Sequence, residues 1–348
     1  MTPLKIGLLG YGRIAELVHV PVLLGLPHAT LAAVAELNPA RRAQAERVTG
    51  AKGYVSAEAL LSARAVDAVV ICLSTPEHAK AAIAAFEAGL HVYVEKPIAT
   101  SALDAAHVLA AWRAAGTVGM SGLNFRFSPR YEELRALIAQ GALGRIVSVR
   151  SVMTSAPRAL PPWKQRRATG GGALLDLASH HVDLLRFLLD DPIGAVQAQL
   201  RAINTEDDTA TLQGVTRSGV LYQGSYSLAA PELHVFEVIG DAATASYNRA
   251  LDRAVRVLPV HDANTRARRL RRAIDAVHPA TLLRGVQPEV SFARALAAFV
   301  SAARSGTPAS PSLEDGAMSL QVVLAAEDSA RDGRRHDVIA VAPGGAIG

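Results

Sequence analysis

The sequence predicts an α/β protein in two parts. The first is a doubly wound parallel sheet. The second is an α+β domain with an open, mostly antiparallel sheet. Three observations carry this prediction. Short apolar runs alternate with helical stretches through the first 121 residues. A glycine turn joins the first run to the first helix. After residue 122 the strands follow one another, with helices gathered at either end.

In the first part the apolar runs are Ile6–Leu9, Leu31–Ala35, Ala68–Leu73, His91–Val94 and Val118–Ser121. Between them the helical stretches include Ala40–Val48, His78–Ala88 and Leu103–Ala115. Turn chemistry agrees: Asn38-Pro39 opens one helix and Gly89 closes another. The expected domains are 1–121 and 122–348. The second begins with a helix (Tyr131–Gln140) and a strand (Arg145–Val152). A Pro-, Arg- and Gly-rich loop (Ala156–Gly172) and a helix over Ala173–Leu189 follow. Strands are expected at Val196–Ile203, Thr209–Thr216, Val220–Ser227 and His234–Ile239, with hairpin turns at Arg217-Ser-Gly219 and Gly240-Asp241. Helices at Val290–Ala303 and Asp315–Asp332 close the chain.

Half of the 348 residues are apolar, which excludes a disordered chain. The net charge is +5, drawn mostly from arginine. No nucleic-acid-binding motif accompanies it, so no nucleic-acid partner is expected. No apolar run approaches a membrane span. A strand begins at Leu4, which leaves no room for a signal peptide, so the expected compartment is the cytoplasm. Cys72, the single cysteine, lies in an apolar run and reads as a buried, inert thiol.

Gly10-Tyr11-Gly12-Arg13-Ile14-Ala15 follows a strand and opens a helix. The first glycine permits the tight turn. The second lets the backbone approach a pyrophosphate at the helix N-terminus, and Ala15 supplies the small packing position. Glu36 ends the second strand, where a carboxylate accepts hydrogen bonds from ribose hydroxyls and repels a 2′-phosphate. The first domain is therefore expected to be a Rossmann domain binding NAD in preference to NADP. Arg41 and Arg42 stand near enough to meet a 2′-phosphate, although a solvated helix face explains them more simply.

Lys96 lies just past a strand and before Pro97, at the carboxyl edge of the sheet, where such sheets bind ligands. Asp176, His180 and Asp183 are spaced to share one helix face. An aspartate one turn before a histidine fixes the tautomer and favours the imidazolium, leaving the other nitrogen for a substrate proton.

The glycine turn, Thr75-Pro76 with His78, Glu95-Lys96-Pro97, and Gly170-Gly-Gly-x-x-x-Asp176-x-x-x-His180-x-x-Asp183 occur in that order. Together they resemble the Gfo/Idh/MocA oxidoreductases over nearly the whole chain. Two departures are a short loop between Thr75-Pro76 and His78, and Ala178 where a glycine is frequent. The resemblance implies NAD(P)-dependent redox chemistry on sugars or cyclitols, in a homodimer or homotetramer packed through the second sheet. It implies a cofactor cleft lined by Gly10, Gly12, Arg13, Ile14, Glu36, Ser74, Thr75, His78, Glu95, Lys96 and Asn124, with His78 and His181 in supporting roles. No metal is expected.

On this reading His180 takes the hydroxyl proton as hydride leaves, Asp176 orients it, and Lys96 stabilises charge on the reacting oxygen. Lys96, Arg126, Trp163, Asp176 and His180 are the expected substrate contacts, with Trp163 stacking on a sugar face. For Arg126 a structural salt bridge is an equal alternative. Arg158, Lys164, Arg166 and Arg167 are candidates to meet an anionic substrate; the run Arg266–Arg272 reads first as a solvated helix face, with the phosphates of a nucleotide-linked sugar or an anionic partner as the alternative. Two other functions stay open: transient redox serving epimerisation or glycoside cleavage, and a non-catalytic dinucleotide or sugar sensor.

Overall fold

The computed structural model describes residues 2–259 and 290–339; the basic run Arg266–Arg272 lies outside them. Six parallel strands form the first sheet: β1 (Leu4–Leu9), β2 (Ala29–Ala35), β3 (Lys52–Tyr54), β4 (Ala68–Ile71), β5 (His91–Val94) and β6 (Gly119–Ser121). Their spatial order is β3-β2-β1-β4-β5-β6. The order reverses beside β1, so a crevice opens at the carboxyl ends of β1 and β4. β4 and β5 are covered on both faces, with Val69, Val70, Ile71, Val92 and Val94 wholly buried. That is why they read as continuous apolar runs.

Helices cross between these strands: α1 (Val20–Gly25), entered through a π-type turn over Ala15–His19, α2 (Pro39–Thr49), α3 (Ala57–Ser62), α4 (His78–Glu87) and α5 (Ala102–Ala115). Local chemistry sets their ends. The Asn38 side chain accepts from the Ala40 and Arg41 amides, Pro39 takes the first position, and Gly50 closes α2 at φ +69°. The short β3 and α3 were not expected; three and six residues carry too little periodicity to register.

After α6 (Pro129–Ala139) comes an eight-stranded sheet, ordered β13-β12-β11-β7-β10-β9-β8-β14. Its strands are β7 (Ile146–Thr154), β8 (Ile193–Arg201), β9 (Thr209–Thr216), β10 (Leu221–Ser227), β11 (Leu233–Gly240), β12 (Ala243–Asn248), β13 (Arg256–Pro259) and β14 (His336–Asp337). All neighbours run antiparallel except β7 and β10. The mostly antiparallel sheet is as expected. β12 and β13 extend it past the Gly240-Asp241 turn. One face is covered and one open: Tyr222 and Tyr226 point inward, while Gln223, Ser225 and Gln213 are exposed. The covered face meets a π-type turn (Leu174–Ala178) that runs into α7 (Ser179–Leu189).

The last helices do not stay with the second sheet. α8 (Ser291–Ser305) sends Leu296, Phe299 and Val300 into the core formed by Ile6, Leu8 and Val70 of the first. α9 (Leu313–Asp332) lies against α5 and β6 on one side and α7 and β8 on the other. Gly316 permits that approach, since a Cβ there would stand 2.7 Å from Ile98 and 2.8 Å from the Ser121 hydroxyl. α9 therefore ties the two sheets together and positions the cleft between them. No described helix is long and apolar enough to cross a membrane.

Candidate active site

The glycine turn lies at the carboxyl end of β1. Gly10 has φ +93°, and a Cβ there would stand 2.8 Å from the Cys72 carbonyl, so only glycine fits. A Cβ on Gly12 would meet nothing within 4 Å, which leaves the open space a pyrophosphate needs above the helix start. Arg13 and Ile14 are exposed at that start. The Glu36 carboxylate accepts from the Tyr11 amide at 3.0 Å and from the Asn38 amide at 2.9 Å, so it stands at the turn, as the ribose role requires. Arg42 is not a solvated residue: its guanidinium donates to the Glu36 carbonyl at 2.8 Å. Ser74 and Thr75 begin the turn after β4. Gly170 packs on Thr75 and Pro76, with its would-be Cβ 3.1 Å from Thr75 Cβ and 3.2 Å from Pro76 Cδ.

Lys96 follows β5 and precedes a cis peptide to Pro97. Its ammonium donates to the Asp176 carbonyl at 2.5 Å and to Asp176 Oδ1 at 3.3 Å. Asp176 Oδ2 accepts from the Lys164 ammonium at 2.7 Å. Burial lowers the Lys96 pKa, and the nearby Lys164 charge lowers it further against the pull of Asp176. Burial alone would raise the Asp176 carboxyl, but Lys164 and Lys96 outweigh it and hold the group ionised well below the usual range.

His180 stacks on Phe125 with ring centroids 4.3 Å apart. Its Nδ1 is buried without a hydrogen-bond partner. The expected hydrogen bond from His180 to Asp176 is absent; the Asp176 carboxylate accepts from the Lys96 and Lys164 ammonium groups instead. Nor is the imidazolium favoured. Burial first and Lys96 second push the His180 pKa well below its ordinary value, so the ring is neutral.

Other expected site residues serve elsewhere. Asp183 leaves the Asp176 face, because the π-type turn alters the winding that an i, i+7 spacing assumes. It is buried and accepts from Arg126 at 2.9 and 2.5 Å. Arg126 also donates to Asp315 at 3.1 Å. Its guanidinium is thus engaged in the salt bridges that the structural alternative expected. Both ring nitrogens of His78 face carbonyls, of Pro97 at 2.8 Å and Leu73 at 3.0 Å. It braces the loops beside Lys96. Asn124 is 1% exposed, and its amide donates to Ser291 at 2.7 Å. Glu95 is buried and paired with His19 at 2.7 Å. Trp163 is half-buried at the cleft edge, with the Lys164 ammonium 5.5 Å from its ring. Arg167 pairs with Glu327 at 2.5 and 2.8 Å and is unavailable to a substrate.

One residue, His19, escaped the sequence reading, because it carries no motif. Lys164 was named with three other basic loop residues, with no signal to separate it from them or to pair it with Asp176. Cys72 is a buried thiol, as expected.

Comparison with known proteins gives the same picture. Residues 4–123 match a family model described as an oxidoreductase family NAD-binding Rossmann fold, and residues 131–246 match the GFO/IDH/MocA C-terminal domain. The chain is 26% identical to the myo-inositol 2-dehydrogenase of Thermotoga maritima, over 95% of this chain and 97% of that one. It is 30% identical to the 1,5-anhydro-D-fructose reductase of Ensifer adhaerens, over 82% of this chain and 84% of that one. Among solved structures, a levoglucosan dehydrogenase in complex with NADH superposes with a TM-score of 0.85, covering 98% of this chain and 100% of that one at 22% identity.

Proposed function

The chain belongs to the Gfo/Idh/MocA family of NAD-binding oxidoreductases, and from that premise we propose that it moves hydride between nicotinamide and a secondary alcohol or ketone of a sugar, sugar derivative or cyclitol. The observation that carries this reading is the position of Lys96. Its ammonium, with a lowered pKa, is fixed on Asp176 and shares the mouth of the cleft with the neutral His180.

Gly10, Gly12, Glu36, Ser74 and Thr75 would hold the dinucleotide, and the open space at Gly12 fits it. NAD supplies the hydride acceptor when bound. His180, neutral at rest, accepts the hydroxyl proton; with Nδ1 buried, Nε2 is the nitrogen a substrate reaches. Lys96 donates a hydrogen bond to the reacting oxygen and stabilises the charge that develops there. Asp176 does not steer the histidine: it aims the two lysines and stays ionised while they do so. Trp163 and Lys164 border the substrate. Glu36 favours NAD over NADP, and Arg42 is already engaged with backbone. The relatives named for myo-inositol, anhydrofructose and levoglucosan support a polyhydroxylated substrate. The open face of the second sheet supports assembly into a homodimer or homotetramer.

The test mixes the protein with NAD and a panel of polyols (myo-inositol, levoglucosan and simple aldoses) while following the NADH absorbance band. Net NADH supports the dehydrogenase. Altered sugar without net NADH favours transient redox. NAD binding with neither outcome leaves a sensor and overturns the proposal.

A further inference from the structure

Glu95 is buried directly behind the lysine, and both of its oxygens are committed. Oε1 meets His19 Nε2 at 2.7 Å, and Oε2 accepts from the Lys96 amide at 3.2 Å. Gly122 closes off the far side, where a Cβ would stand 3.0 Å from Glu95 Cα and 3.1 Å from Oε2. The carboxylate therefore has no second place to go. His19 comes from the π-type turn that follows the glycine turn, and it is wholly buried. Its ring meets Tyr93 and Phe292 edge-on, with centroids 5.9 and 5.6 Å away. One side-chain pair thus joins the segment that carries the glycine turn to the peptide that carries Lys96.

We propose that His19 is a positioning residue: through Glu95 it holds the Lys96 peptide in place, and so couples the dinucleotide turn to the lysine ammonium. This rests on the reading of Lys96 as the group that meets the reacting oxygen. The titratable groups facing His19 are Cys72 at the end of β4, and Tyr93 and Glu95 on and after β5. Burial opposes a charged ring, but Cys72 and Glu95 override it and push the His19 pKa up to about 10. Burial pushes the Cys72 thiol up, while the charge on His19 pulls it back down; the Glu95 carboxylate stands 2.7 Å from the ring. An unpaired carboxylate in that place would be costly, which is why a cation faces it.

The experiment compares wild type, His19→Gln, Glu95→Gln and the double variant. Two readouts are taken on folded protein. One is NAD affinity by calorimetry. The other is the rate at which acetic anhydride acetylates Lys96, followed by mass spectrometry. The proposal expects each single variant to raise Lys96 acetylation at least about threefold while NAD affinity stays within about threefold, with the double variant no worse than the poorer single one. Wild-type Lys96 acetylation in His19→Gln, or effects of the two substitutions that simply multiply, would overturn it. If His19→Gln does not fold, the double variant, which buries no charge, carries the same readout, and wild-type acetylation there overturns the proposal. The labelling needs no turnover, so a failure to oxidise any polyol would count against the hydride reading and leave this result to decide the role of His19.

Discussion

The ammonium of Lys96 rests 2.5 Å from the main-chain carbonyl of Asp176, a residue 80 positions away in the other domain. One hydrogen bond thus spans the cleft between the two sheets and brings the sheet-edge lysine to the helix that carries His180. The carboxylate of the same aspartate takes the second lysine, Lys164. The site is a Lys–Asp–Lys cluster beside a neutral histidine rather than an Asp–His pair.

Replacing Lys96 with methionine should reduce turnover about 10²–10³-fold, the scale of a lost donor to a developing oxyanion. NAD affinity, measured by fluorescence or calorimetry, should stay near wild type, because the residues placed at the dinucleotide are elsewhere. Normal turnover in this variant would remove Lys96 from the mechanism.

Lys164→Met should move the acid limb of kcat/KM to higher pH. Lys164 is the largest cause holding the Asp176 carboxyl low. Without it Asp176 binds a proton at a higher pH and loses its grip on Lys96. An acid limb that coincides with wild type would show that Asp176 does not need Lys164.

His180→Asn should lower kcat about 10²–10⁴-fold, as expected for a general base. Because burial and Lys96 depress the pKa of this ring, the wild-type profile should show no inflection near 6.5, the value of a free imidazole. A clear inflection there that vanishes in the variant would place His180 in a wetter environment than the structure gives it.

Arg126→Ala should act on stability and leave KM within a small factor. The guanidinium is paired with Asp183 and Asp315, and removing one member of a buried ion pair costs about 3–5 kcal/mol. Urea unfolding measures the loss. A large rise in KM with unchanged stability would restore Arg126 as a substrate contact.

Stability should also fall with rising pH through His19. Its folded pKa, about 10, lies above its ordinary 6.5. The contribution is therefore fully present below about 6.5 and is lost as pH climbs toward 10. Urea midpoints taken at intervals from pH 6 to pH 10 should decline more steeply in wild type than in His19→Gln, and parallel curves would argue against the buried imidazolium.

Much was decided by the sequence alone, wherever a local rule sufficed. Gly10 and Gly12 were legible because Gly-x-Gly-x-x-Ala follows a strand and opens a helix. Glu36 falls just past β2, between the end of that strand and the turn at Asn38-Pro39. The alternation of strands and helices determined the first sheet, and the period-two runs determined most of the second. The lysine at a strand end and the aspartate and histidine on one helix were legible as residues. Their partners were not. Which cations reach Asp176, which carboxylates quench Arg126, and why α8 returns to the first sheet all depend on contacts between segments far apart in the chain. Such contacts leave no periodicity to read. The protonation of His180, His19 and Lys96 was likewise decided only by the tertiary structure, because burial and a neighbouring charge within a few ångströms move a pKa more than residue type does.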